Sequence, residues 1–198
     1  MNKILAISLF MIIGFLSCKT SEKGIDKLEI AKQYYKALEN ADSSEMAVLV
    51  SDSIVIRESE ADYQEEFSQK EYVEWLKWDS VFDPTYTILE IDQENGIVKA
   101  KISKMDKRIF FLHEEPIVWN EIIRFDNYKI NSVERIKYEV FNVSKFIENR
   151  DGLVSWIKEY QPELDGFLND QTKSGGMKYL KAIELYKSKK QPATTKWQ

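Results

Sequence analysis

The chain has 198 residues, 28 Lys and Arg against 33 Asp and Glu, and a net charge of −5. That length suffices for one domain with its own apolar core, and an acidic balance with no long basic run excludes a nucleic-acid partner. One Cys and one His leave no disulfide framework and no Cys/His metal site, and no cofactor is expected.

At the start of the chain, Lys3 gives a short positive segment, and Ile4 to Leu16 then runs without a charge. As a helix this run is about 20 Å long against a hydrocarbon core of about 30 Å, too short to span. Its place after Lys3 and before a small-residue site reads as an export signal rather than a buried helix. It ends in Phe15-Leu16-Ser17-Cys18, which resembles the lipobox of bacterial lipoproteins, where a small residue precedes the cysteine that becomes the acylated amino terminus. Phe15 and Leu16 depart from the usual residues, as relaxed versions in lipoproteins of the Bacteroidetes type do. The resemblance implies a signal peptide over 1–17 and a palmitate-type lipid anchor on Cys18. It also implies a tether over 18–25 and a place in the bacterial cell envelope, at the outer membrane. Ordinary cleavage, with Cys18 lost or left free, is the alternative.

Asp26 to Glu39 has a helical pattern, with Leu28, Ala31, Tyr35 and Leu38 on one face. Asp42-Ser43-Ser44-Glu45 has capping-box spacing and opens a second, short helix through Met46, Leu49 and Val50. Ile54-Val55-Ile56 is a short apolar strand. The acidic run Glu58-Glu60-Asp62-Glu65-Glu66 reads as a solvated loop, with no calcium-loop spacing. Ser68-Gln69-Lys70-Glu71 is a clearer capping box for a third helix carrying Tyr72, Val73, Trp75 and Leu76, which stops before Pro84.

The period then changes from helical to alternating. Thr85 to Ile91 and Ile97 to Ser103 are strands joined by Asn95-Gly96, a strong hairpin signal. Arg108 to His113 and Ile117 to Phe125 read as two further strands around Glu114-Glu115-Pro116. Asp126-Asn127 is a turn, and Tyr128 to Phe141 a long strand bulged near Ser132. Beyond it, Ser144 caps a helix to about Tyr160, with Gly152 a break, and Pro162 ends it. Gly175-Gly176 precede a last helix, Met177 to Lys187, before a polar tail.

Three helices, a strand between the second and third, then a curled antiparallel sheet ending in a long strand: this order is similar to the nuclear transport factor 2-like fold. The similarity covers roughly 26–141. It rests on "AKQYYKALENAD" for the opening helix, "MAVLVSDSIVIRE" for the second helix and first strand, and "FSQKEYVEWL" for the third helix. It implies an α+β cone of three N-terminal helices packed in a curled antiparallel sheet, with an apolar pocket at one end. Residues 142–190 then form a C-terminal helical extension that plugs the pocket, covers the sheet or docks a partner, and 191–198 are a tail. Members of the family include isomerases, dehydratases, polyketide cyclases and plain binding or docking modules, so the fold selects no activity.

The candidate chemistry is sparse. His113, at a strand end, is a proton shuttle or an ordinary edge histidine. The period of two puts Ile117, Trp119, Glu121, Ile123 and Phe125 on one face. If that face looks into the cone, Glu121 is a desolvated carboxylate suited to proton transfer; the opposite register leaves it in solvent. Trp75, Trp119 and Tyr138, with Trp78 and Tyr86, either line a ligand pocket or fill a core. Arg57 stands where it orients a polar ligand head or pairs on the surface. Two functions follow. One is an anchored binding or docking module for a small apolar ligand, an envelope protein or a second copy of the chain. The other is an isomerase or hydro-lyase acting on a small hydrophobic carbonyl compound, with Glu121 as base and His113 or a tyrosine as acid.

Overall fold

The computed structural model describes residues 26–189. The signal segment, Cys18, the tether and the polar tail lie outside the described residues.

Helix α1 (Lys27–Asn40) begins where the Asp26 carboxylate accepts from the Leu28 amide, and ends at Ala41 in the left-handed region (φ 52°). Helix α2 (Ser43–Leu49) is capped by Asp42 through the Ser44 and Glu45 amides. It leads straight into β1 (Val50–Glu58), which is longer than the expected strand at 54–56. Only Glu60 and Asp62 of the acidic run lie in a solvated turn; Glu58, Glu65 and Glu66 are in strands. A 3-10 turn (Ser59–Ala61) folds the chain back as β2 (Tyr63–Ser68), paired antiparallel with β1 from Ser53↔Ser68 to Glu58↔Tyr63. β2 is an edge strand, where charged side chains discourage further pairing. Helix α3 (Gln69–Ser80) then starts from the Ser68–Glu71 capping box.

Strands β3 (Thr85–Glu94) and β4 (Ile97–Met105) form the Asn95-Gly96 hairpin, with φ of 51° and 81° at the two turn residues. The strand expected over Arg108 to His113 is a helix, α4 (Lys107–Leu112). Asp106 accepts from the Ile109 amide at 2.5 Å and opens it. Helical spacing then buries Ile109 and Leu112 while Phe110 stays exposed, a division that strand alternation would not give. β5 (Ile117–Asp126) and β6 (Lys129–Val140) complete the sheet. Its order is β2-β1-β6-β5-β4-β3, and β1 runs parallel to β6, so the sheet is mixed rather than antiparallel. Pairing passes from Arg124↔Ser132 to Phe125↔Ile130, which leaves Asn131 as the extra residue of a bulge.

The main core joins α1 to α3 to one face of the sheet through Ala31, Leu38, Met46, Ile54, Leu76, Ile102, Ile123 and Ile130. The extension comprises α5 (Val143–Tyr160), a 3-10 turn (Pro162–Leu164) and α6 (Lys173–Lys189). Asn142 caps α5 rather than Ser144, accepting from the Lys145 amide at 3.0 Å. Gly152 does not break α5; a Cβ there would sit 3.0 Å from the Tyr186 hydroxyl, so the glycine allows α5 and α6 to approach. Gly175 and Gly176 lie inside α6, and a Cβ on Gly176 would meet the Trp78 carbonyl at 3.0 Å. The extension therefore packs against α3 and α4 through its own core of Trp78, Phe82, Leu153, Ile157, Phe167 and Ile183. Among the described residues no helix is long and apolar enough to cross a membrane.

Candidate functional site

A cavity of about 130 Å³ lies between α1, α3 and the sheet. Alternation along β5 points Ile117, Trp119, Glu121 and Ile123 inward, and Glu121 is only 3% exposed. Its Oε1 accepts from the Tyr35 hydroxyl at 2.5 Å, and its Oε2 accepts from the Trp119 indole N–H. An ionised carboxylate has about four acceptor positions, so these two donors leave capacity for a third partner. Burial pushes the Glu121 carboxyl above its ordinary range, against the opposing pull of Arg135, Tyr35 and Trp119.

The other walls come from three elements. α1 and α3 supply Tyr34 and Tyr72, whose hydroxyls are hydrogen-bonded to each other. Burial raises both phenols, so they stay neutral near pH 7 and able to donate. Trp75 stacks on Tyr72 with centroids 5.4 Å apart. From β6, opposite Glu121, comes Arg135, whose guanidinium lies 5.0 Å from the centre of the Trp119 ring and pairs with Glu58. The exposed residues Tyr63 and Gln171 join Glu58 and Glu65 at the opening. Gln171 is the one lining residue contributed by the C-terminal extension.

The residues singled out from sequence fall in different places. Trp75, Trp119 and Glu121 line the cavity. Tyr138 stands behind it, 6.4 Å from Trp119, and is hydrogen-bonded with Arg135 and Glu58. Arg57 points away and donates to Gln64 (2.7 Å) and Ser132 (3.4 Å). His113 does not line the cavity and does not end a strand. It caps the C-terminus of α4 and is fully buried, its Nε2 accepting from the Asn142 amide at 2.7 Å. Nε2 is therefore unprotonated, and Nδ1 carries the hydrogen toward the Glu115 carbonyl at 2.8 Å. That histidine is a bracket between α4 and α5, and the acid assigned to it must be sought among the tyrosines. Among the described residues no cluster of His, Cys, Asp and Glu can hold a metal ion.

Sequence reasoning missed the roles of Tyr34, Tyr35 and Arg135. The tandem tyrosines were visible on the apolar face of α1. Arg135 was hidden by the bulge at Asn131, which shifts the inward phase of β6 by one residue.

The element order and the concave sheet are consistent with a nuclear transport factor 2-like cone. No protein-family model matches the chain, and no curated protein matches it. Among solved structures it is similar to a proposed ketosteroid isomerase from Kribbella flavida, at 12% identity over 59% of this chain and 80% of that one, with a TM-score of 0.48. It is also similar to a nuclear transport factor 2-like protein of unknown function from Cytophaga hutchinsonii, at 9% identity over 60% and 94% of the two chains, TM-score 0.46. A third is IdmH, a proposed polyketide cyclase from Streptomyces antibioticus, at 11% identity over 64% and 99%, TM-score 0.48. The likeness is one of architecture, and no residue role passes from these proteins to this chain.

Proposed function

We propose that this chain is a lipid-anchored envelope protein whose cavity binds a small, largely apolar molecule with one polar group facing Glu121. The carrying observation is the cavity-lining carboxylate itself. A buried carboxylate with unused acceptor capacity is expensive in a core that has no use for it. The space suits the ligand: an engineered cavity of about 150 Å³ holds benzene, whereas drug-sized ligands take about 300 Å³ or more. Titrating the full chain with small fragments such as benzyl alcohol and cyclohexenone should shift the Trp119 indole N–H resonance saturably. No shift with any fragment would overturn the proposal. The anchor rests on Cys18, and acyl chains contribute about 0.8 kcal/mol per buried methylene. Cys18→Ser should move the protein from the membrane to the soluble fraction; retention at the membrane would remove the anchor.

A second reading is an isomerase or hydro-lyase acting on a small carbonyl compound. It is favoured by Glu121 with its raised carboxyl and the neutral Tyr34–Tyr72 pair bordering one cavity. Glu121 would take a proton from the carbon beside the carbonyl while a phenol donates to the developing oxyanion. Deuterium exchange into cyclohexenone should be faster than in buffer and fall by about a hundredfold in Glu121→Gln. Exchange no faster than buffer would leave binding alone.

A further inference from the structure

We propose that the ligand of this cavity is a small organic cation, a methylated or protonated amine about the size of choline. This deepens the binding function and rests on the cavity being a ligand site.

The charge on the walls is the first ground. Glu58, Glu65 and Glu121 border the cavity, and Arg135 is the one cationic side chain among its lining residues. Arg135 is already paired with Glu58, and Glu65 accepts only from the neutral Tyr63 hydroxyl. Arg135 also acts on Glu121 opposite it, so three carboxylates share this one cation and the walls keep an excess of negative charge. An anionic ligand would meet repulsion there. A neutral ligand would leave that excess of buried negative charge uncancelled, and a cation cancels it.

The rings are the second ground. Tyr34, Tyr72, Trp75, Tyr86 and Trp119 line the same space. Aromatic faces carry negative potential, and walls of this composition suit methylated ammonium groups, which combine an apolar surface with a positive charge. The protein already seats a cation on one of these rings, since the Arg135 guanidinium lies 5.0 Å from the centre of Trp119. Size agrees as well. The volume of about 130 Å³ takes a compact ammonium but leaves little room for a fused-ring compound. Because burial holds the Glu121 carboxyl above its ordinary range, a bound cation would draw it down. Binding would then release protons and strengthen as pH rises.

The experiment is a titration of the full chain with choline and with its neutral carbon isostere, dimethylbutanol. The reporter is the Trp119 indole resonance, assigned by its loss in Trp119→Phe. Choline should bind at least about tenfold more tightly than the alcohol. Glu121→Gln should erase most of that preference, and Glu65→Gln, at the opening and so less exposed to folding failure, should reduce it. Equal affinities would overturn the cation and leave the cavity standing as a neutral site. A choline preference that survives both carboxylate variants would also overturn it, since the charge would then come from elsewhere. If choline and the alcohol fail to shift Trp119 while the fragments above do shift it, the cation falls alone; if the fragments fail too, the binding function falls with it.

Discussion

The domain buries acidic side chains in two places, and their surroundings differ in one respect. Where α3, β4 and α4 meet, Asp79 and Asp106 are opposed by Lys104 and Arg108. Lys104 reaches both Asp79 oxygens at 2.6 and 2.7 Å, and Tyr86 donates to the same carboxylate at 2.9 Å. Burial alone would raise Asp79, but Lys104 and Arg108 hold its carboxyl below the usual range. On β5, Glu121 receives only neutral donors directly, its carboxyl is raised, and it borders a cavity. Two carboxylates matched by two cations make a closed strut. A carboxylate with neutral donors beside a void makes a place for something else. Tyr86 joins the two, with its ring on the cavity and its hydroxyl in the strut.

Breaking the strut should have the largest effect. Lys104→Met removes the main partner of Asp79 and leaves a fully buried carboxylate facing a thioether. Removing one member of a buried ion pair costs about 3–5 kcal/mol. Chemical denaturation should show a loss of that order. If Lys104→Met is as stable as the parent, the two clusters do not differ as described.

His113 is, like the strut, a structural group, bonded to the Glu115 carbonyl and the Asn142 amide, although it looked like chemistry. His113→Phe leaves the Asn142 amide without its acceptor and should cost about 1–3 kcal/mol. Ligand-induced shifts at Trp119 should persist in this variant, measured by the same titration. Loss of those shifts in a folded His113→Phe protein would tie the histidine to the cavity.

Much of this division could be read from the sequence, and the exceptions have physical causes. Strict alternation from Ile117 to Ile123 left two faces for Glu121, and the inward one is observed because Trp119, Ile123 and Glu121 share it. The Asn95-Gly96 hairpin and the Ser68 capping box are local, and both formed where their residues required. What failed was long-range or hidden in phase. The parallel pairing of β1 with β6 joins residues distant in sequence, such as Arg57 and Glu134, and no local pattern announces it. The β1–β2 hairpin was masked by acidic side chains that suit an edge strand as well as a loop. His113 was misplaced because Asp106 was not recognised as a helix cap. The Lys104–Asp79 pair was half legible: alternation puts Lys104 in phase with the buried Val98, Ala100 and Ile102, but no local pattern names Asp79 as its partner.

The smallest expected change in stability is also the most discriminating, because its sign reverses between the two clusters. Glu121→Gln keeps a workable set of bonds: the amide oxygen accepts from the Trp119 indole, and the amide nitrogen donates to the Tyr35 hydroxyl, which accepts as readily as it donates. At neutral pH its stability should lie within about 1 kcal/mol of the parent, or above it. For a carboxyl raised on folding, the native state binds its proton more tightly. The stabilisation this gives is present below the unfolded value, near 4.5, and disappears as pH rises through the folded value. The advantage of Glu121→Gln over the parent should therefore grow as pH climbs from about 4 toward neutrality. Asp79 runs the other way. Its lowered carboxyl stabilises the fold above the unfolded value of 3.8 and ceases to do so as pH falls through the folded one. The deficit of Asp79→Asn should accordingly shrink toward low pH. Denaturant melts of both variants across that range would give two difference curves of opposite trend. Parallel curves would mean that both carboxylates are paired alike, and the cavity would then be no more than a gap in the core.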